Sequence, residues 1–207
     1  MLTIYHVTNT RGMRVIWLCE ELNLDYEVVK VDFSPAYRRS DEWRELNPVG
    51  KVPVLRDDDL VMFESGAMVE YVLARYAKGQ LAPAPSSPSY AAYLQWLWFG
   101  EATLSRPLGE IVNHRREFSG QDALSDHIAE RLIEEMKDRA AECLSAIAAQ
   151  VQRQDYLLGA QFSAADIMVG YGIALAQALA PERVPANLAP YWERLAQRPA
   201  FQIARDA

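Results

Sequence analysis

The sequence predicts an α/β domain of order βαβαββα followed by an all-α helical-bundle domain, and three observations carry that prediction. Short strand-like runs trade places with amphipathic helical ones near the N-terminus, and a stretch from Lys78 to Ser89, holding Gly79, Pro83, Pro85 and Pro88 among serines, sustains neither element. Beyond it the helical period runs alone. The expected boundaries are an α/β domain over 1–78, a linker over 79–88 and an all-helical domain over 89–207.

Each element has its own warrant. Leu2 to Val7 and Tyr26 to Val31 read as strands, the second by its alternation, and the amphipathic run Val15 to Leu22 between them reads as a helix. Strand, crossover helix and strand predict a parallel pair. Asp41 to Leu46 reads as a short second helix, and Val52 to Arg56 with Leu60 to Met62 flank Asp57-Asp58-Asp59 as a tight acidic hairpin. Ser65 is expected to cap a helix running to about Tyr76. After the linker, Tyr90, Tyr93, Leu94 and Leu97 open a long helix that Pro107 should kink. Ile128, Leu132, Met136, Ala140, Leu144, Ile147 and Val151 stripe another. Ser163-Ala164-Ala165-Asp166 has the spacing of a capping box, a structural role for Asp166 rather than a catalytic one.

Composition bounds the function. A chain of 207 residues with 50% hydrophobic content can bury a sizeable core. A net charge of −7 and a pI near 5.1 argue against nucleic acid as a main partner, because a phosphate-binding face needs clustered Lys and Arg. Cys19 and Cys143 are too few for a disulfide framework and read as reduced core residues. His6, His114 and His127 have no metal-ligand spacing with each other or with the cysteines, so no metal is expected. The opening residues pass quickly into polar Thr8-Asn9-Thr10-Arg11, unlike a signal peptide, and the longest apolar run, Ile167 to Ala176, is too short to span a bilayer. A cytoplasmic protein with no membrane partner is the expectation.

The binding chemistry is written in two pieces. In Asn47-Pro48-Val49-Gly50-Lys51-Val52-Pro53-Val54-Leu55, the residue before Pro53 is pushed toward extended geometry, and Pro53 has no N–H to give a sheet. Val52 is therefore expected at an open strand edge where an extended peptide can pair. In Phe63-Glu64-Ser65-Gly66, Ser65 and the first amides of the next helix suit a carboxylate, and Glu64 suits an ammonium. The two imply a ligand with an amino acid head and a peptide body.

The chain resembles the cytosolic glutathione transferases, of the bacterial, hydroxyl-using type. The resemblance is carried by YHVTNTRGMR from Tyr5 to Arg14, by NPVGKVPVL, by FES and by GAQFSAADI from Gly159 to Ile167, in family order and at family-like distances. It implies a thioredoxin-like first domain and a glutathione site at Lys51, Val52, Glu64 and Ser65. Lys51 stands where the family commonly has glutamine and would attract the glycine carboxylate. It further implies an enzyme that joins glutathione, as co-substrate, to a small hydrophobic electrophile, and a homodimer. Two alternatives stay open: a non-catalytic binding or regulatory protein on the same fold, and a glutathione-dependent peroxidase or lyase.

A glutathione thiol with a free-cysteine-like pKa of ~8.5 is only a few per cent thiolate at neutral pH. Lowering that pKa by ~2 units takes ~2.7 kcal/mol of preferential stabilisation of the anion. The loop Thr8-Asn9-Thr10-Arg11-Gly12 before the first helix offers a hydroxyl, backbone amides and a cation. Thr10 falls where hydroxyl-type relatives place the catalytic serine, and threonine there is a departure whose methyl restricts the rotamer. Thr10 is the first choice for the catalytic hydroxyl, the alternative being that it merely caps the helix. Asn9, Arg11 and Arg38 are the further possible site residues. Tyr5 is expected to pack within its strand, and Cys19 lies too far into the helix to act as nucleophile.

Overall fold

A computed structural model describes residues 1–118 and 123–207. The first part of the chain forms β1 (Leu2–His6), α1 (Gly12–Glu21), β2 (Tyr26–Lys30), α2 (Asp41–Leu46), β3 (Val54–Asp57), β4 (Leu60–Phe63) and α3 (Ser65–Tyr76), the expected thioredoxin-like order. The sheet runs β2-β1-β3-β4. β1 and β2 are parallel, as the α1 crossover requires, with Ile4 opposite Val28, while β3 is antiparallel to both of its neighbours. Asp58 turns the β3–β4 hairpin with φ 52°, a conformation that aspartate tolerates.

Two local expectations change. β3 begins at Val54 and is an interior strand, so Val52 and Pro53, joined by a cis peptide bond, lie ahead of the ladder rather than along a sheet edge. Ser65 is the first residue of α3 and not its cap. Glu64 occupies the cap position with φ 77°, and its side chain makes no cap bond to the helix.

Every residue of α1 from Gly12 to Cys19 is buried, so one apolar stripe does not describe it and the helix needs cover on more than one side. β1 and α3 supply part of that cover, and the last helix, α9 (Pro199–Asp206), supplies more. Trp17 meets Phe201 edge-on at 4.9 Å, and Arg198 holds both carboxylate oxygens of Glu21 at 2.6 Å. The chain accordingly groups into two compact units, Met1–Pro85 with Ala196–Ala207, and Ser86–Leu195.

The second unit is helical: α4 (Tyr90–Trp98), α5 (Ser105–Phe118), α6 (Ala123–Gln150), α7 (Ala164–Leu179) and α8 (Ala189–Ala196). In place of a simple kink at Pro107, a π-helical turn over Phe99–Leu104 joins α4 to α5. Pro107 has no amide to give and crowds the carbonyl four residues back, which disfavours regular α bonding just before it. Ser105 Oγ donates to the Gly100 carbonyl at 2.7 Å and satisfies one acceptor in the altered turn. Among the described residues no helix is long and apolar enough to cross a membrane.

Candidate functional site

The site is built where three turns of the first unit meet. Asn47 is 2% exposed, and its side chain accepts from the Val49 amide at 3.1 Å and donates to the Lys51 carbonyl at 2.8 Å. One buried amide thus shapes the loop that presents Lys51 and Val52. Gly50 completes the turn with φ 62°, where a Cβ would lie 2.4 Å from the Arg38 carbonyl oxygen, so only glycine fits. Arg38 supports the same loop by donating Nε to the Gly50 carbonyl at 3.0 Å, with its guanidinium 4.5 Å from the centre of the Phe33 ring.

Lys51 and Val52 line a notch of ≈ 50 Å³ with Glu64, Ser65 and Arg11. That is room for the charged end of a ligand rather than for its whole body. The structure therefore brings Arg11, Lys51, Val52, Glu64 and Ser65 together, and leaves Arg38 outside the lining as a loop support. Lys51 and Glu64 are exposed, while Ser65 is 3% exposed.

Arg14 stands behind Ser65, completely buried, and donates Nη1 to Ser65 Oγ at 3.1 Å. Because Oγ is the acceptor in that bond, the serine keeps its own hydrogen as a donor. A carboxylate at Ser65 would meet that hydrogen, the open amides at the start of α3 and the nearby guanidinium charge. Arg14 and Asn47 both escaped the sequence reading as site residues. The signals were present: a charge within an apolar helical run, and an Asn-Pro-x-Gly turn.

The loop before α1 holds the remaining candidates. Asn9 is exposed and left-handed at φ 65°, which asparagine tolerates. Thr10 is half-buried and closes a tight turn: its amide bonds the Val7 carbonyl at 3.1 Å and its hydroxyl donates to the same oxygen at 2.7 Å. Its carbonyl accepts from the Met13 amide at 3.0 Å, but its hydroxyl is not a cap for α1, whose cap position is Arg11 and whose first turn carries no acidic residue to offset the positive end of the helix. Thr10 Oγ1 lies 3.4 Å from Nδ1 of the buried His6. Burial, and secondarily the charge of Lys30, push the His6 pKa down to about 4.

Other candidates fall away on position. Tyr5 packs near Trp43, ring centres 6.1 Å apart. Burial, aided by Glu20, pushes the Cys19 thiol up to about 12, far from a reactive thiolate. Cys143 is only half-buried, in contrast to the core position expected for it. No group of His, Cys, Asp and Glu among the described residues is arranged to hold a metal ion.

A thioredoxin-like sheet followed by a helical unit, with a polar notch at the start of α3, defines the fold class. Residues 1–74 match the glutathione S-transferase N-terminal domain, and residues 130–202 match the C-terminal domain. Glutathione S-transferase 3 of Zea mays is 28% identical over 92% of this chain and 86% of its own length. Glutathione S-transferase 3 of Schizosaccharomyces pombe is 27% identical over 100% of this chain and 87% of its own. Among solved structures, the theta class glutathione S-transferase of Xanthomonas axonopodis pv. citri with glutathione bound has a TM-score of 0.82 at 28% identity, covering 100% of this chain and 97% of that one. A Phanerochaete chrysosporium glutathione transferase with oxidized glutathione has a TM-score of 0.82 at 26% identity, covering 99% and 93%. The chain belongs to the glutathione S-transferase family.

Proposed function

We propose that the protein is a glutathione transferase that joins the glutathione thiolate to a small hydrophobic electrophile, with glutathione held by the thioredoxin-like part, residues 1–78. The convergence of Lys51, Val52, Glu64, Ser65 and Arg11 on one notch, beside the loop that carries Thr10, supports this reading most directly. Ser65 and the α3 amides take the carboxylate of the amino acid head, and Glu64 takes its ammonium. Val52 offers backbone groups to the peptide, and Lys51 attracts the glycine carboxylate. The family membership, and relatives whose structures contain glutathione, point the same way.

Thr10 is the proposed catalytic hydroxyl. Its hydrogen points to the Val7 carbonyl, so donation to a thiolate requires rotation about the side-chain bond, with the positive end of α1 and Arg11 adding to the anion's stabilisation. The thiolate then gives its electron pair to the electrophilic carbon. A C–S bond forms as the leaving group departs with its bonding pair or, in addition to an activated alkene, as the displaced pair takes a proton.

The engaged Thr10 hydrogen is also what a binding protein without turnover would show. Titration of the bound thiol by thiolate absorbance separates the two readings. A depressed pKa that Thr10→Ala raises, with slower conjugation of a chloronitroaromatic at neutral pH, supports the transferase. A bound thiol that titrates like free glutathione leaves only the binding role. If Asn9→Ala or Arg11→Ala moves the pKa and Thr10→Ala does not, another loop group carries the anion. We place the protein in the cytoplasm as a homodimer, and a monomer in sedimentation at micromolar concentration would contradict the dimer.

A further inference from the structure

His6 ends β1 and is fully buried beside the loop that carries Thr10. Its ring lies so close to the first turn of α1 that a Cβ at Gly12 would sit 2.3 Å from Nδ1. Gly12 therefore opens the space in which the imidazole faces the site loop. Nδ1 is 3.4 Å from Thr10 Oγ1, and Nε2 has no hydrogen-bond partner among the described residues. With a pKa near 4 the ring carries a single proton at neutral pH, and its position decides what Thr10 can do.

A proton on Nε2 would leave a buried N–H with nothing to bond and would make Nδ1 a second acceptor competing for the one Thr10 hydrogen. A proton on Nδ1 gives that N–H the Thr10 oxygen as acceptor and leaves only a bare ring lone pair at Nε2. An unpaired buried donor is the rarer and costlier arrangement, so the Nδ1–H tautomer is favoured. Hydrogen bonds of this kind are often long before a complex forms and tighten within it.

We propose that His6 is a positioning residue for thiol activation: by donating Nδ1–H to Thr10 Oγ1, it orients and polarises the hydroxyl so that the threonine hydrogen swings from the Val7 carbonyl to the thiolate sulfur. A hydroxyl that accepts one hydrogen bond is a stronger donor of the next. This rests on the reading of Thr10 as the thiolate's donor.

The test has two arms on the whole protein with glutathione bound. Nitrogen NMR, with the His6 signals assigned by their loss in His6→Asn, should show a protonated Nδ1 and a bare Nε2, and the reverse overturns the inference. Thiolate absorbance should show a raised thiol pKa in His6→Leu, cutting the thiolate fraction at neutral pH about threefold to tenfold, while glutathione affinity at about pH 5, where the bound thiol is protonated in both proteins, changes by less than about twofold. His6→Asn, whose amide can take the place of Nδ1–H, should recover most of the loss, a rescue that a merely space-filling role does not predict. An unchanged pKa in His6→Leu overturns the inference. If Thr10→Ala shifts the pKa and His6→Leu does not, only the role of His6 fails. If Thr10→Ala has no effect, the Thr10 reading fails and this inference with it. Should His6→Leu not fold, the NMR arm decides on the parent chain.

Discussion

Two helix starts in this molecule use the same residue types to opposite ends. At α7, Ser163 and Asp166 face inward: the carboxylate accepts from the Ser163 amide and hydroxyl and from the Leu157 amide, each at 2.9 Å, and from the Tyr191 hydroxyl at 2.9 Å. At α3, Glu64 is exposed on a left-handed backbone, and Ser65 accepts from Arg14 while keeping a hydrogen to give. Serine and an acid at a helix start do not by themselves mean binding or stability. What separates the two is where the spare hydrogen-bonding capacity points, inward and spent at α7, outward and unspent at α3.

The sharpest break of this comparison is Asp166→Ala. It strands four buried donors, and a loss of roughly 3–5 kcal/mol in denaturant unfolding is expected, with glutathione affinity unchanged in whatever remains folded. A loss below about 1 kcal/mol would place the site's stability elsewhere.

His6 is the site's own buried polar group with capacity left over, and it should show in the pH dependence of stability. Its folded pKa of about 4 lies below the usual 6.5, so between those values the unfolded chain binds more protons. The stabilisation is complete above pH 6.5 and is lost as pH falls toward 4, by about 3 kcal/mol. Unfolding curves of the parent and His6→Asn across that window check it, since the variant should lose this part of the slope.

At α3 the expected effect is chiefly on binding. Ser65→Ala and Glu64→Ala should each weaken glutathione about tenfold or more, since hydrogen bonds to charged groups are worth ~1.5–3 kcal/mol, with little change in stability for exposed Glu64 and a loss of about 1–3 kcal/mol for Ser65, whose oxygen accepts from buried Arg14. Calorimetric titration that finds unchanged affinity in both folded variants would erase the contrast with α7. The smallest effect belongs to Thr10→Ser, which keeps the hydroxyl and removes a methyl. Conjugation should hold or rise slightly, and a large fall would show that the methyl's packing matters more than the hydroxyl.

Much of this was legible in the sequence because it is local. The order βαβαββα, the α2 bounds Asp41 to Leu46 and the capping-box residues at α7 follow from alternation, helical period and turn chemistry within a few residues. The notch was legible in outline, since Lys51, Val52, Glu64 and Ser65 sit on two short motifs separated by a hairpin. Arg38, a possible site residue, supports the loop through the Gly50 carbonyl, a contact across twelve positions that no local pattern displays.

By itself, then, the sequence determined which segments form strands and helices and which polar residues stand at their ends, because backbone sterics and periodicity act over near neighbours. Only the tertiary structure decided that Arg14 backs Ser65 across 51 positions, that Arg198 reaches Glu21 across 177, and that the His6 ring lies against Gly12 beside Thr10. The physical reason is that a hydrophobic pattern specifies which face is buried and not what it is buried against. A buried arginine or histidine acquires its role from the partner that packing sets opposite its nitrogen atoms.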